Sequence, residues 1–597
     1  MMTRGRRRAG AIVLGLAFAA SCRTQRDLDP EPPRPRPLAG MVVCEAPLAG
    51  EVGAKVLRDG GNAVDAAVAT ALALAVVLPQ AGNLGGGGFA LFVPHEGEPQ
   101  ALDFRERAPA TADASRFLDA EGKLIGEMSL AGPWSVAVPG SAAGLFELLD
   151  RLGSQRFSFA ELAQPAVDLA RKGFLVDAGL ERDLGDEDFR RRLESSPAAK
   201  ELFYPNGTQL RRGERLVQSD LAKTLELLGK AGPEVFYRGS IAGSIIAELQ
   251  IQGDVNGAAG GMEVGSRGML SARDLADYAP VWREPLRGWF RGMEVITMPP
   301  PSSGGIALLE TLAVLDGFPI EAERRALSAA ELAAGGLPER AVHWWIEALR
   351  RAFAERAEHL GDPDFVAVPL ERLLSPEWVA RARVSIGEAA APETLAQSAI
   401  REGQETTHIS VLDSKGNALS LSTTLNSTFG SGILVRGGGF FLNDEMDDFA
   451  LQAGVANQFG LVGGKANALE PGKRPLSSMA PTVLRRGGSV AMVLGSPGGP
   501  KIITSVIGVI VRTLLFEQSL ADAVAAPRFH QQWSPPVTEF EPGWPGELLE
   551  ALSRRGHAVQ AVEKRWGRVQ AIRVLPGGNV EGASDPRGGG SAIPVKR

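Results

Sequence analysis

From Thr406 to Asn426 the chain reads TTHISVLD, then SKG, then NALSLSTTLN. The three residues Ser414-Lys415-Gly416 suit a hairpin loop, a type I turn closed by glycine in the left-handed region. That loop pairs Asp413 with Asn417, and counting outward sets Val411 opposite Leu419 and Ile409 opposite Leu421. Apolar then meets apolar, which supports the register. A four-residue loop would pair Ile409 with Ser422 and Val411 with Ser420, a poorer match. The better register brings Thr406 directly opposite Thr424, so two hydroxyls meet at one end of the ribbon. A hydroxyl becomes a useful nucleophile only where a base activates it. His408 is a poor candidate for that base, because its side chain lies two residues farther along the same strand face. Threonine is also common in strands for packing reasons, so the pair alone does not name a reaction.

Other familiar chemistries are missing. There is no HExxH, no Cys-x-x-Cys and no GxSxG elbow, and with two Cys and six His neither a disulfide scaffold nor a Cys-rich zinc protein is available. The run NLGGGG at Asn83–Gly88 lacks the Lys-Ser/Thr of a phosphate loop and reads as backbone passing close to another element. A net charge of -7 and a pI near 5.7 argue against a dedicated nucleic-acid binder.

The elements that must position these residues follow from periodicity. Glu51 to Val77 is Ala-rich and helical, broken at Gly60-Gly61, and FALFV after the glycine run is an apolar strand. Residues 150–360 read as helices and polar loops, the clearest helix being Ala341 to Glu358 with Trp344, Trp345, Leu349 and Phe353 on one stripe. His343, His359 and Cys44 read as packing or capping residues. Past residue 405 strand-like runs dominate: HISVLD, ALSLSTTL, SVAMVLG and VQAIRVL. Helices first and strands later predict α+β packing around a common core.

Several segments together resemble the gamma-glutamyltranspeptidase family: GGNAVDAAVATALAL, NLGGGGFALFV, DFRERAPA, HLGDPDF, the TTHISVLD hairpin, FFLNDEMDDFA, KRPLSSMAPT, GSPGG and APRFHQQW. They occur in order from about residue 40 to the C-terminus. The resemblance implies a four-layer αββα sandwich of the N-terminal-nucleophile hydrolase type. It also implies a precursor that cuts itself between Glu405 and Thr406, giving a large subunit (40–405) and a small catalytic subunit (406–597) that form a heterodimer. Once N-terminal, Thr406 would carry its own base, since an α-amine has a pKa of about 7.7 to 8.0.

The same resemblance assigns roles. Thr424 orients the nucleophile. Gly498 and Gly499 supply oxyanion-hole N–H groups. Arg105 takes a substrate α-carboxylate with help from Ser477 and Ser478, and Asn426, Glu445 and Asp448 receive an α-ammonium, while Arg107 and Asp447 face away. The implied substrates are γ-glutamyl amides such as glutathione, with water or an amino acid or peptide amine as acceptor, and no metal or cofactor. A loop, AGVANQFGLVGGKANALEP, resembles a pocket lid; Phe459 stands where many members carry Tyr, which predicts a lid held by packing alone. Two competing readings are a glutaryl-type side-chain acylase, disfavoured because a glutaryl group has no ammonium for Glu445 and Asp448, and an uncut binder of γ-glutamyl peptides.

The N-terminus reads as an address. Arg4, Arg6, Arg7 and Arg8 precede an apolar stretch from Ala9 to Ala20, the pattern of an export signal over residues 1–21. Small residues before Cys22 resemble a bacterial lipoprotein box with Ala19 in place of Leu, so Cys22 is either lipidated or passed over by ordinary cleavage nearby. Residues 22–39, with PEPPRPRP, read as an extended tether. The expected location is the periplasm of a bacterium, free or anchored to the membrane.

Overall fold

The computed structural model describes residues 40–260, 269–328, 331–332, 335–391, 405–452 and 454–596. The expected export signal, Cys22, the tether, the residues just before Glu405 and the Glu405 side chain lie outside this description.

Thirteen strands build two antiparallel sheets. In chain order they are β1 (Gly40–Cys44), β2 (Gly87–Val93), β3 (Gln100–Phe104), β4 (Val281–Arg283), β5 (Leu286–Phe290), β6 (Met293–Thr297), β7 (Glu405–Leu412), β8 (Ala418–Asn426), β9 (Thr482–Arg486), β10 (Ser489–Gly495), β11 (Gln570–Val574), β12 (Val580–Ser584) and β13 (Ser591–Val595). The seven-stranded sheet runs β13-β1-β7-β8-β2-β3-β4 and the six-stranded sheet β12-β11-β10-β9-β6-β5. Strands β4 to β6 correct the expectation of helices and loops alone in residues 150–360. Arg291 and Gly292 take φ of 51° and 74° there and turn a tight hairpin between β5 and β6.

The inner strands β1, β2 and β8 of the first sheet are buried on both faces, and the side chains sort by the period of two. On β7 and β8, Ile409, Val411, Leu419 and Leu421 join the core under the helices α1 (Pro47–Arg58) and α2 (Ala63–Val77). Leu412 and Ala418 point the other way, into the core shared with the second sheet and its covering helices α3 (Gly304–Asp316), α4 (Glu339–His359) and α5 (Lys501–Leu514). The result is helices, sheet, sheet, helices: the expected four-layer α+β sandwich.

Helix α2 is buried along its whole length. Its start is fixed twice: Asn62 and Asp65 form a capping box, and Ala63 N donates to Asp413 Oδ2 at 3.2 Å, tying the helix to the hairpin loop. The glycine run serves close approach, as expected: a Cβ on Gly86 would meet the Thr424 carbonyl at 1.9 Å, and one on Gly88 the Ser422 carbonyl at 2.2 Å. Only bare backbone lets β2 pair with β8 beside the two threonines.

Candidate active site

The β7–β8 ladder has the register that the three-residue loop predicts, with Leu419 opposite Val411, Leu421 opposite Ile409 and Thr424 opposite Thr406. Thr406 Oγ1 donates to Thr424 Oγ1 at 3.3 Å, and both residues are buried. Just beyond, the pairing shifts between Thr424 and Asn426. Such an irregularity re-aims the strand end. Asn426 adopts φ 77°, its N–H donates to Thr424 Oγ1 at 2.8 Å and its side-chain amide to Asp444 O at 3.0 Å. Asn83 supports the same corner, donating to Thr424 O at 3.0 Å while accepting from Gly86 N.

Thr406 shares its strand face with His408 and Ser410, which point between the sheets. His408 Nδ1 lies 2.7 Å from Ser422 Oγ, and Ser410 and Ser420 donate across the interlayer to Gln570 O and Leu494 O. Burial pushes the His408 pKa down to about 3, so its imidazole is neutral. It packs where Gly495 leaves room, since a Cβ there would meet the ring at 2.2 Å. His408 does not line the cavity at Thr406.

That cavity is bounded by Arg105, Arg356, Thr406, Thr424, Asn426, Glu445, Asp448, Phe459, Ser477, Ser478 and Gly499, among others, and its free volume is about 20 Å³. The predicted carboxylate-binding and ammonium-binding residues therefore converge on Thr406. They also hold each other. Arg105, 1% exposed, contacts Glu445 at 2.8 Å, Glu106 at 3.3 Å, and Asp448. Burial works against its charge, but Glu445, Glu106 and Asp448 outweigh burial and hold its pKa above the ordinary value. Desolvation raises the pKa of Glu106, Glu445 and Asp448 despite Arg105. Tyr278 and Arg474 fix the Arg105 backbone by donating to its carbonyl at 2.9 and 2.5 Å. Cation and anions side by side suit a ligand that carries both charges on one carbon.

Two residues of this cluster escaped the sequence reading. Arg356, on α4, is buried, donates to Ser303 Oγ at 2.9 Å and has its pKa lowered by burial to about 10, with Asp448 the opposing influence. Glu106 adjoins Arg105, and the DFRER run was the signal for it. Arg107 and Asp447 line no part of the cavity: Arg107 donates to Asp277 O, and Asp447 accepts from Ser129 Oγ and Gln458 N.

The glycines of GSPGG lie just before α5. Gly498 and Gly499 have φ of 131° and 53°, and their carbonyls accept from Lys501 N and Ile502 N at 3.1 Å each. Gly499 borders the Thr406 cavity, whereas Gly498 borders a neighbouring one.

The lid needs a correction. Phe459 is buried against Gly499, but packing does not hold the loop alone. Gln532 Nε2 donates to Phe459 O at 3.1 Å, Gln458 Nε2 to Ser427 Oγ at 3.0 Å, and Asn457 Nδ2 to Asp448 Oδ1 at 3.3 Å. Polar neighbours of Phe459 do what a missing phenol was expected to leave undone.

Elsewhere, His343 bonds His557 at 2.7 Å inside the core, and burial raises the Cys44 thiol to about 12. Among the described residues no group of three or more His, Cys, Asp or Glu is arranged to hold a metal ion.

A family model described as gamma-glutamyltranspeptidase matches residues 49–595. A glutathione hydrolase proenzyme of Escherichia coli (strain K12) is 41% identical over 555 residues, covering 92% of this chain and 90% of its own. An acylase ACY 1 proenzyme of a Pseudomonas species (strain SE83) is 34% identical and covers 93% of both chains. Among solved structures, a cephalosporin acylase from Bacillus halodurans superposes with a TM-score of 0.77 at 28% identity, covering 96% of this chain and 99% of that one. The gamma-glutamyltranspeptidase of Helicobacter pylori gives 0.53 at 35% identity, over 61% of this chain and 95% of that one.

Proposed function

This chain belongs to the gamma-glutamyltranspeptidase family, and from that premise we propose that it is a self-processing γ-glutamyl hydrolase and acyltransferase that works on glutathione and related γ-glutamyl amides. The observation that carries this reading is the Thr406–Thr424 hydroxyl pair at 3.3 Å in a cavity shared with Arg105, Glu445 and Asp448. Scission between Glu405 and Thr406 frees an α-amine, which accepts the Thr406 hydroxyl proton as Oγ1 attacks the γ-carbonyl. Thr424, itself held by Asn426 N, keeps that oxygen aligned. The Gly498 and Gly499 N–H groups, at the positive end of α5, face the developing oxyanion. The amine departs with the proton, leaving a γ-glutamyl ester on Thr406. Water or a second amine then takes the acyl group.

Substrate binding in this reading is an exchange of partners. The α-carboxylate meets Arg105, Ser477 and Ser478, and the α-ammonium replaces the guanidinium beside Glu445 and Asp448. Arg4 to Arg8 and the apolar stretch behind them support export to the periplasm, with Cys22 as a candidate lipid anchor.

The experiment is the Thr406→Ala variant. It is expected to remain a single chain and to release no amine from a γ-glutamyl anilide, while the unaltered protein runs as two fragments and does. Normal cutting in the variant would refute the nucleophile assignment. The likeness to acylases favours a second reading, a glutaryl acylase. Glu445 and Asp448 speak against it, and turnover of a glutaryl anilide in preference to the γ-glutamyl one would decide for it.

A further inference from the structure

We propose that His530 is a positioning residue for the reaction: it turns the Gln532 amide so that the lid is fastened to α5, the helix that follows the Gly498–Gly499 pair. The proposal rests on the γ-glutamyl reading above and goes beyond it by naming what sets the closed position of the lid.

Spacing in the sequence brings the two side chains together. In APRFHQQW, His530 and Gln532 stand two residues apart, on one side of an extended chain. His530 ends the short strand Phe529–His530, is 1% exposed, and sets its ring edge-on to Phe353 at 5.8 Å. Its Nδ1 lies 3.1 Å from Thr504 Oγ1 and its Nε2 2.8 Å from Gln532 Oε1. Gln532 Nε2 reaches two carbonyls, Phe459 O at 3.1 Å and Ser534 O at 3.2 Å.

Donor and acceptor chemistry fixes the direction of each bond. Carbonyl oxygens only accept, so the Gln532 atom between Phe459 O and Ser534 O is the nitrogen. Gln532 Oε1 therefore faces His530 and accepts, which requires a hydrogen on His530 Nε2. Burial, assisted by the charge of Lys501, pushes the His530 pKa down to about 3, so the ring is neutral. A neutral imidazole carries one hydrogen, so Nδ1 is bare and accepts from the Thr504 hydroxyl. Without the ring nitrogens, Gln532 Oε1 loses its donor, and an amide turned to find another would set oxygen against Phe459 O.

Both ends of this relay lie beside the glycine pair. Thr504 belongs to α5, and its Oγ1 is also 3.2 Å from Lys501 O in the first turn. Phe459 packs on Gly499, where a Cβ would meet its ring at 3.2 Å. The lid and the start of α5 are thus held to each other through His530, and both border the Thr406 cavity.

The test is a double-mutant cycle on the processed protein with a γ-glutamyl anilide. His530→Phe keeps a ring and deletes both nitrogens, and is expected to raise KM about 5-fold while kcat changes less. His530→Gln keeps a donor near the place of Nε2 and is expected to restore most of that loss. In Gln532→Ala the relay is already cut, so adding His530→Phe is expected to leave KM within about 1.5-fold. Thr504→Val removes the hydroxyl and keeps the shape. It is expected to raise KM about 2-fold with Gln532 present and not without it, and it carries the same comparison should His530→Phe yield no processed protein. Increases in KM that multiply in the double variants, or unchanged KM in His530→Phe and Thr504→Val, would overturn the relay and leave the γ-glutamyl reading standing. A second readout needs no substrate. In protein labelled with 15N-histidine, the His530 resonances, identified by their loss in His530→Gln, are expected to show the neutral Nε2–H form at pH 7. An Nδ1–H or doubly protonated ring would overturn the relay, whereas the expected form in a protein that releases no anilide would uphold the relay and overturn the γ-glutamyl reading.

Discussion

At the scale of single residues, the proposed chemistry depends on giving Thr406 a base and a fixed rotamer. The neighbouring imidazole supplies neither. His408 is neutral, faces Ser422 and is walled in by β10. In the proposed mechanism the base is the freed α-amine, so kcat/KM is expected to rise with pH through an apparent pKa of about 7.7 to 8.0. A profile controlled by a group near pH 6.5 would point to histidine instead. The same proposal gives the rotamer to Thr424, whose Oγ1 accepts from Thr406 Oγ1 at 3.3 Å. Thr424→Val keeps the shape and deletes the hydroxyl, and is expected to slow both self-scission and turnover by about 10- to 100-fold. Band ratios on denaturing gels and anilide release measure the two separately. The hydroxyl pair was legible in the sequence because loop length and apolar pairing fix a register by themselves. Arg356 was not legible. It sits on a helix read correctly for its apolar stripe, and only the packing of α4 beside the lid turns one of its many arginines toward the cavity.

At the scale of elements, a hairpin carries the two threonines, a glycine run lets β2 close against it, and a loop covers the result. The glycine run was readable as a close approach because four consecutive glycines have few other uses. The strands β4 to β6 were missed because they are short and embedded in a helix-rich region, although WFRGMEVIT carries both an Arg-Gly turn and alternation. The lid was legible as a loop but not in its fastening, since Gln532 reaches Phe459 from 73 residues away. Gln532→Ala removes that tie, and KM for a γ-glutamyl anilide is expected to rise several-fold while kcat changes less. Unchanged KM would mean that the loop is held adequately by Gln458 and Asn457.

At the scale of the whole molecule, the sandwich buries an unusual set of acids beneath the lid. Desolvation raises the pKa of Asp444 and of Asp447 to about 7, against about 3.9 in an unfolded chain. Between those values the folded state holds more protons than the unfolded one, so stability falls as pH rises. The contribution is fully present below about pH 4 and is lost as pH passes 7. The melting temperature is therefore expected to fall from pH 5 to pH 8, and Asp447→Asn to flatten that slope. A melting temperature that rises over this range would contradict the assignment. Under the proposed mechanism stability and catalysis then pull in opposite directions, because the amine base works best where the buried acids are least comfortable. The order of layers was legible from the resemblance and from helices preceding strands. The charge frustration was not, because it exists only once Arg105 and Glu106 on one segment meet Glu445 and Asp448 on another.

All of these scales meet in one proposed covalent event, the release of the Thr406 nitrogen from its peptide bond. Intact-mass spectrometry with N-terminal sequencing of the active protein measures it directly. Two fragments are expected, the smaller beginning at Thr406. A polypeptide that turns over γ-glutamyl anilide with the Glu405–Thr406 bond unbroken would contradict the account.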